Sequence, residues 1–329
     1  MNLSLFSRKN RVVNMIINDH SIRFLELKHA KPPVPHKWGE RLLPSGLITN
    51  GRINDSETLA NILEECVSDW KLRNRQVRFL IPESFVIIRK VSIPAEVKDD
   101  EIKGYLYLEL GTSIHLPFDE PVFDAVVLSK ENDKKEILIF AAQEDNVTEY
   151  ATLLSEAKLN PVAAEVSPLA LYRLYHHLNQ AKPGEDLLIV QFGLNEVNIC
   201  IFENTIPFFM HHLPIEFDEK HWDKKLNRDG NYELIFAGEQ SDLSFQLEDA
   251  YKEINRLMDF YRYSLHQGKK SVTKILLDGD HPMLAQIKKD LEGRFDVPLE
   301  TIFYQDKASL EQDFSYKYYL ALGLALKGV

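Results

Sequence analysis

Two similar segments constrain the fold more than any other feature of the chain. Residues 187–202 carry two apolar, β-branched runs on either side of a short polar turn that contains Gly193. This pattern predicts a tight β-hairpin, because glycine supplies the turn geometry and Val and Ile suit a half-buried sheet. Residues 12–27 repeat the plan. Two such hairpins indicate a duplicated domain, with a cleft between the copies that both hairpin turns face.

Composition narrows the class of protein. The 329 residues are enough for two lobes or more, and 44% hydrophobic with 27% charged residues is typical of a soluble globular protein. The formal net charge of −11 argues against nucleic acid as the main partner, since phosphate binding needs a basic stripe. Cys66 and Cys200 lie in apolar runs, which indicates buried thiols in a reducing compartment. No apolar run approaches the roughly 18 residues of a membrane span, so the expected location is the cytoplasm.

Between and after the hairpins, the pattern predicts an inserted α+β unit and a second set of helices and strands. The inserted unit covers residues 77–165 and ends before a connecting helix and the linker Pro183-Gly184. A polar stretch over 216–246 predicts an exposed loop or small subdomain. The elements expected after it are a long helix over 243–267 with one apolar stripe, a strand over 274–277, a helix over 283–291 and a terminal helix over 315–327.

Short motifs at matching places along this order carry a resemblance. They are Ser92-Ile93-Pro94 after a strand pair, Asp99-Asp100-Glu101-Ile102, Leu116-Pro117-Phe118, Ala141-Ala142, Ala170-Leu171-Tyr172, residues 254–261, and the closing residues 321–327. Their order and spacing resemble the actin-like ATPases that carry an inserted 1C subdomain, the group of FtsA and PilM. The closer likeness is to the PilM proteins of type IV pilus assembly.

The resemblance implies an α/β fold of duplicated actin-like (ribonuclease H-like) lobes with an inserted α+β subdomain. The first lobe (1A) would contain residues 1–76, about 166–184 and the C-terminal helix 315–329. The inserted subdomain (1C, SHS2-like) would contain residues 77–165. The second lobe (2A with a small 2B) would contain residues 185–314.

The nucleotide motifs of that family are altered in this chain. The first hairpin turn of the family reads Asp-x-Gly, and its two positions fall on Ile16 and Asn18. The second turn has Gln191 in place of Asp and keeps Gly193, and the third, a Gly-Gly turn, reads Asp278-Gly279-Asp280. These changes remove carboxylates that would bind metal or add carboxylates where phosphate would lie. The sequence therefore predicts no catalytic residue, no metal ligand and lost ATP hydrolysis.

Alternatives stay open at these turns. A weakly bound ATP or ADP would be held by vestigial positions, namely Asn18, Ser21, Gln191, Gly193 and Gly279. An active ATPase or small-molecule kinase would need Asp19, Asp278 or Asp280 to replace the missing carboxylates. Ordinary polar turns explain the same residues without any ligand, and we favour that interpretation for residues 18–20 and for 278–282.

The resemblance also implies a partner. It predicts a cytoplasmic scaffold of a type IV pilus or related secretion assembly that binds the N-terminal tail of a single-span, PilN-like membrane protein, together with other pilus assembly proteins. The tail would lie in a groove between the first lobe and the inserted unit, for which the candidate residues are Phe85, Ile87, Arg89, Tyr105, Tyr107 and Leu108. The chain would be peripheral to the inner face of the membrane through this partner. Basic residues within 3–11 would add only a weak contact to anionic lipid.

Overall fold

The computed structural model describes residues 11–118, 120–131, 133–215, 222–226, 232–305 and 314–329. The chain forms two compact units, each of them discontinuous in sequence. Unit 1 contains the described residues up to Ile81, together with Thr148–Leu178 and Tyr304–Val329. Unit 2 contains Pro82–Val147 and Asn179–Phe303. The N-terminal stretch with the predicted weak lipid contact lies, except for Arg11, outside the described residues.

The secondary structure is mixed throughout. The strands are β1 (Val13–Ile17), β2 (Ser21–Ala30), β3 (Pro33–Leu42), β4 (Ile48–Thr49), β5 (Arg52–Ile53), β6 (Gln76–Leu80), β7 (Val86–Pro94), β8 (Pro121–Glu131), β9 (Lys134–Gln143), β10 (Asn160–Glu165), β11 (Asp186–Phe192), β12 (Glu196–Glu203), β13 (Ile206–Pro214), β14 (Trp222–Leu226), β15 (Tyr232–Phe236), β16 (Lys274–Gly279) and β17 (Leu299–Thr301). The α-helices are α1 (Ser56–Asp69), α2 (Ile102–Glu109), α3 (Glu144–Glu156), α4 (Ser167–His177), α5 (Gln240–Asp259), α6 (Leu284–Arg294) and α7 (Tyr319–Ala325).

The two largest sheets have the same topology. The sheet of unit 1 has the strand order β10-β6-β1-β2-β3, and the corresponding sheet of unit 2 has the order β17-β16-β11-β12-β13. In each sheet three sequential strands are antiparallel, and two later strands add in parallel beside the first. This repetition confirms the duplicated α/β lobes that the two hairpins predict.

Local sequence explains how the elements of unit 1 form. The five residues of β1 are all buried, as an apolar run between two neighbouring strands requires. Helix α1 begins where the Asp55 side chain accepts a hydrogen bond from the Thr58 N–H (3.0 Å), and it buries one face through Leu59 and Leu63. After the helix ends, the Trp70 ring packs against Phe24 of β2 with centroids 4.5 Å apart.

Helix α7 completes unit 1 although it is distant in sequence. It lies against β1, β2 and α4, and most of its residues are buried. A Cβ atom on Gly323 would lie 2.1 Å from the Ala170 carbonyl oxygen, so the backbones of α4 and α7 are in close contact. Arg173 donates to the Gly323 carbonyl (3.1 Å) and pairs with Glu165 (2.6 Å). The expected terminal helix over 315–327 is shorter, because a 3₁₀ turn at Tyr316–Tyr318 precedes α7.

Unit 2 contains the second large sheet and the inserted subdomain. The core of the sheet is apolar, with side chains such as Ile199 and Ile275 packed against Tyr251 and Ile254 of α5. The expected long helix over 243–267 begins earlier, at Gln240, and changes to a π-helical turn at Phe260–Leu265. Within the polar stretch over 216–246, the described residues include the antiparallel pair β14–β15.

The inserted subdomain contains a three-stranded antiparallel sheet, with order β7-β9-β8, and helix α2. One face of the sheet packs on α2 through a small apolar core that includes Ile93, Leu106, Phe123 and Ile139. In the part of the chain that the structure describes, no helix is long and apolar enough to cross a membrane.

The boundaries of the inserted unit differ from those expected. Strand β6, assigned by its sequence to the inserted unit, pairs in parallel with β1 in register Val13↔Val77 and so belongs to the first sheet. Strand β10 pairs with β6 and also lies in that sheet. Strands β6 and β10 therefore lie in unit 1, and the part of the expected range 77–165 that falls in unit 2 is Pro82–Val147. An apolar run predicts a strand but not the sheet that the strand joins, which is why sequence misplaced both boundaries.

Candidate functional site

A cleft of about 360 Å³ opens on the inserted subdomain, between the second half of β7, helix α2 and the segment that follows α2. Its lining residues are Arg89, Lys90, Val91, Ser92, Ile93, Tyr105, Glu109, Ser113, Ile114 and His115. Isoleucine, valine and tyrosine side chains give the cleft apolar surface. Arg89 and Lys90 bring positive charge to one wall, and Glu109 brings negative charge to the other. This combination suits an extended peptide with both apolar and polar groups.

The second wall of the cleft is formed by a turn that folds back over the end of α2. The Ile114 N–H donates to the Glu109 carbonyl (3.0 Å), and the Gly111 N–H donates to the Ile114 carbonyl (2.9 Å). Gly111 has a φ of +79°, a conformation that favours glycine at this position. The Arg89 guanidinium on β7 donates to the His115 carbonyl, which ties the turn to the strand. The cleft is therefore defined by contacts between elements and not by one segment.

Strand β7 is at the edge of its own sheet, since β9 is its partner on one side. Alternate residues of such a strand point their backbone N–H and C=O groups away from the sheet. Strand β13 lies beside β7 within unit 2, and the residues of β7 that line the cleft are 89–93. An edge strand along a cleft is a site where an extended segment is held by main-chain hydrogen bonds while its side chains enter apolar pockets.

The first of the three altered turns, in unit 1, is closed on its own backbone. The Asn18 side-chain oxygen accepts hydrogen bonds from the backbone N–H (2.8 Å) and the hydroxyl (3.0 Å) of Ser21. The neighbouring Asp19 carboxylate accepts from the N–H groups of Asn50 (2.6 Å) and Gly51 (3.1 Å). These are the hydrogen bonds of an Asx turn and of a contact between loops. The N–H group of Ser21 is thus already engaged within the protein.

The second turn, in unit 2, follows a buried polar side chain. Gln191 of β11 lies opposite Asn198 of β12 on one side and Asp278 of β16 on the other, and all three are at most 6% exposed. The Gly193 N–H donates to the Glu196 carbonyl (2.9 Å) within the hairpin. A glutamine amide in this position lacks the charge with which a carboxylate attracts Mg²⁺.

The third turn brings a carboxylate into an apolar setting. Gly279 has a φ of +134°, and a Cβ atom there would lie 2.0 Å from the Phe192 carbonyl oxygen. That carbonyl accepts from the N–H groups of Asp280 (3.0 Å) and His281 (3.1 Å). Burial, together with the nearby charge of Asp280, raises the pKa of Asp278 to about 8. The N–H groups of Asp280 and His281 are both engaged, and the Asp280 carboxylate would repel a phosphate.

Comparison with known families decides the class of protein. The family described as type IV pilus assembly protein PilM matches residues 15–213, which is more than half of the chain. The chain belongs to the PilM family.

Solved structures show the same architecture. The chain is similar to a structure described as a PilM-PilN type IV pilus biogenesis complex, with 20% identity, a TM-score of 0.75, and coverage of 97% of this chain and 98% of the other. It is also similar to the ethanolamine utilization protein EutJ from Carboxydothermus hydrogenoformans, with 11% identity, a TM-score of 0.51, and coverage of 96% and 89%. The fold of this PilM-family chain is the actin-like fold that its sequence predicts.

The structure places the six predicted groove residues in different surroundings. Arg89 and Tyr105 line the cleft. Phe85 is buried in a 3₁₀ turn, and Ile87 packs against the apolar core of the inserted subdomain, so neither reaches the cleft. Tyr107 and Leu108 project from α2 outside the cleft, with 48% and 80% exposure.

Sequence could not separate these residues. On a helix, adjacent positions point in different directions, and the sequence does not indicate which face of α2 meets β7. Ile114 and His115 were missed because they come to the cleft through the fold-back after α2, which depends on the contact between Arg89 and the turn. The role of every residue in binding a partner stays a prediction.

Proposed function

We propose that this PilM-family chain is a scaffold of a type IV pilus or related secretion assembly. On this proposal it binds the extended N-terminal tail of a PilN-like, single-span membrane protein, and this partner holds it at the inner face of the membrane. Two findings support the proposal. The family match covers residues 15–213, and a similar solved structure is described as a complex of PilM with PilN.

The observation that carries the proposal is the cleft along the edge of β7. An extended tail would pair with the backbone of residues 89–93 and place apolar side chains against Ile93 and Ile114. This mode of binding needs no catalytic group. It also explains why a fold of ATPases is retained here with altered nucleotide turns.

A peptide titration tests the site. The full chain is titrated by calorimetry with the N-terminal cytoplasmic peptide of the proposed PilN-like partner. The variants Arg89→Ala and Tyr105→Ala each remove a side chain that lines the cleft. We expect each to weaken binding about tenfold or more, which corresponds to a loss of about 1.4 kcal/mol.

Tyr107→Ala is the matched control. It removes the same kind of side chain from the same helix, two positions away and outside the cleft. We expect its affinity to stay within about twofold of the parent chain. If Tyr107→Ala weakens binding as much as Tyr105→Ala, the peptide lies elsewhere on α2. If the parent chain does not bind at high micromolar peptide, the proposed partner is wrong.

A further inference from the structure

One end of the unit 1 sheet is unusually basic. Strands β1, β6 and β10 begin at this end, and the β2–β3 connection turns there, as the registers Val13↔Val77, Gln76↔Asn160 and His29↔Val34 show. It is the end opposite to the Asn18–Ser21 turn. Neither the altered nucleotide turns nor the cleft of unit 2 uses it.

Six Lys and Arg residues come together at this end from four separate parts of the chain. We call them the basic end: Arg11, Lys28, Lys31, Lys71, Arg73 and Lys158. All but the half-buried Arg11 are exposed. Hydrogen bonds between the connecting segments hold the parts together, because the Asn74 N–H donates to the Lys158 carbonyl (2.7 Å) and Arg75 donates to the Arg11 carbonyl.

The acidic side chains near this end do not cancel its charge. Glu26 is buried and bonded to Arg75, which is not part of the basic end. Glu64 pairs with Arg73 at 3.5 Å on the surface. Two further acidic residues end the helices nearby: Asp69 is the last residue of α1, and Glu156 is the last residue of α3. The net charge of the basic end and these acidic neighbours together stays positive, whereas the whole chain carries a formal net charge of −11.

The pKa of His36 reflects the positive electrostatic potential at this end of the sheet. Burial lowers the pKa of this histidine, and the positive charges of Arg11, Lys28 and Lys37 lower it further, against the opposing effect of Glu26. Several cations therefore act on one point of the surface. Charges that act together attract an anionic surface far better than a single exposed charge, which salt screens.

The sequence before Arg11 contains apolar residues beside basic ones. The ten residues before Arg11 lie outside the described part, and their sequence contains Leu3, Leu5 and Phe6 beside Arg8 and Lys9. Basic residues with adjacent Leu and Phe are typical of segments that bind at a membrane surface, where the charges meet lipid phosphates and the apolar groups enter the interface. Nucleic acid would make use of the charges alone.

We propose that the basic end binds anionic phospholipid headgroups, so that unit 1 contacts the membrane directly in addition to the contact through the proposed partner. This inference does not depend on the identity of that partner. It adds to the contact through the partner, and to the weak contact of residues 3–11, that the sequence predicts.

Vesicle sedimentation with the full chain alone tests the inference. We expect the chain to sediment with vesicles of phosphatidylcholine and phosphatidylglycerol at about 0.05 M salt, and to stay in solution with phosphatidylcholine alone. Binding is lost at about 0.5 M salt, because the Debye length falls well below 10 Å. Equal sedimentation with both kinds of vesicle would overturn the proposal.

Charge reversal locates the surface. The triple variant Lys28→Glu, Lys31→Glu, Lys71→Glu changes three exposed side chains of the basic end, and we expect it to bind anionic vesicles at least about tenfold more weakly. The control Lys182→Glu, Lys224→Glu, Lys225→Glu changes net charge equally at exposed positions of unit 2 and keeps its binding. Unchanged thermal unfolding midpoints show that both variants fold.

Two results would contradict the assignment. Full binding by the Lys28, Lys31, Lys71 variant means that the basic end is not the lipid surface. Tighter binding to double-stranded DNA than to anionic vesicles at the same salt means that the basic end is a nucleic-acid site instead.

Discussion

Asp278 is a carboxyl group held away from water at the end of a central strand. It is 6% exposed and lies opposite Gln191, and burial together with Asp280 raises its pKa to about 8 from the usual 3.8. The folded chain therefore keeps this proton at a pH where the unfolded chain has released it. Stability consequently falls as the pH rises from about 4 to about 8.

The variant Asp278→Asn tests this consequence. The amide has nearly the same shape and does not ionise, so the cost of the buried charge disappears. We expect the free energy of unfolding to exceed that of the parent chain by at least about 2 kcal/mol at pH 8, and the difference to become small near pH 4. Urea unfolding at the two pH values measures both quantities.

Asp296→Asn is the matched control for that measurement, because it removes a carboxylate from an exposed position after α6. Its effect should stay within about 0.5 kcal/mol at both pH values. A gain in Asp278→Asn that is equally large at pH 4 would show that packing, and not ionisation, causes the difference.

At the scale of elements, the close crossing of α4 and α7 makes a definite prediction. Gly323→Ala would place a methyl group 2.1 Å from the Ala170 carbonyl oxygen, so the two helices must separate. We expect a loss of about 2 to 3 kcal/mol in the free energy of unfolding, as in other overpacked cores. Urea unfolding measures it.

Gly293→Ala is the helical control, since a Cβ atom on Gly293 of α6 would meet nothing within 4 Å. Alanine favours helix over glycine, so this change should be neutral or stabilise by up to about 1 kcal/mol. Equal losses in the two variants would mean that the crossing of α4 and α7 relaxes at no cost.

Elements with local patterns were predictable from the sequence, and elements at sheet edges were not. The hairpins β1–β2 and β11–β12 follow from apolar runs around a polar turn. The sequence pattern did not predict strand β3, because Pro33 and Pro35 within it are more typical of an irregular segment than of a strand. Proline is tolerated there since β3 is the edge strand of its sheet.

For the candidate cleft, too, the sequence predicts the elements but not how they pack together. Sequence proposed Arg89 and Tyr105, which line it, together with Tyr107 and Leu108, which do not. The spacing of residues on α2 gives the directions of side chains but not the position of the partner strand. Which face of the helix meets β7 is decided by packing on Phe123 and Ile139, far apart in sequence.

For the whole molecule, the altered turns predict weak or absent nucleotide binding. We propose that ATP hydrolysis is lost, because Gln191 replaces a carboxylate and the N–H groups of Asp280 and His281 are bonded to Phe192. With millimolar Mg-ATP we expect no heat of binding in calorimetry, no phosphate release, and a thermal midpoint that does not rise.

The alternative is an ATPase with atypical phosphate loops, and it makes the opposite prediction. Micromolar affinity for Mg-ATP with measurable turnover would contradict the proposed loss of hydrolysis. Binding of ADP without Mg²⁺ and without turnover would instead support the vestigial site at Asn18, Ser21, Gln191, Gly193 and Gly279. The peptide titration is independent of either outcome.

The position of α7 has a consequence for synthesis. Helix α7 covers β1, β2 and β6, yet it is made from residues 319–325, after the whole of unit 2. All five strands of the first sheet are made before the second sheet begins, but the face that α7 covers stays exposed until the last residues of the chain emerge from the ribosome. Until α7 is made, the exposed face is open to association with other chains. We therefore expect synonymous codons that slow translation near the end of the coding sequence to increase aggregation more than those near its start.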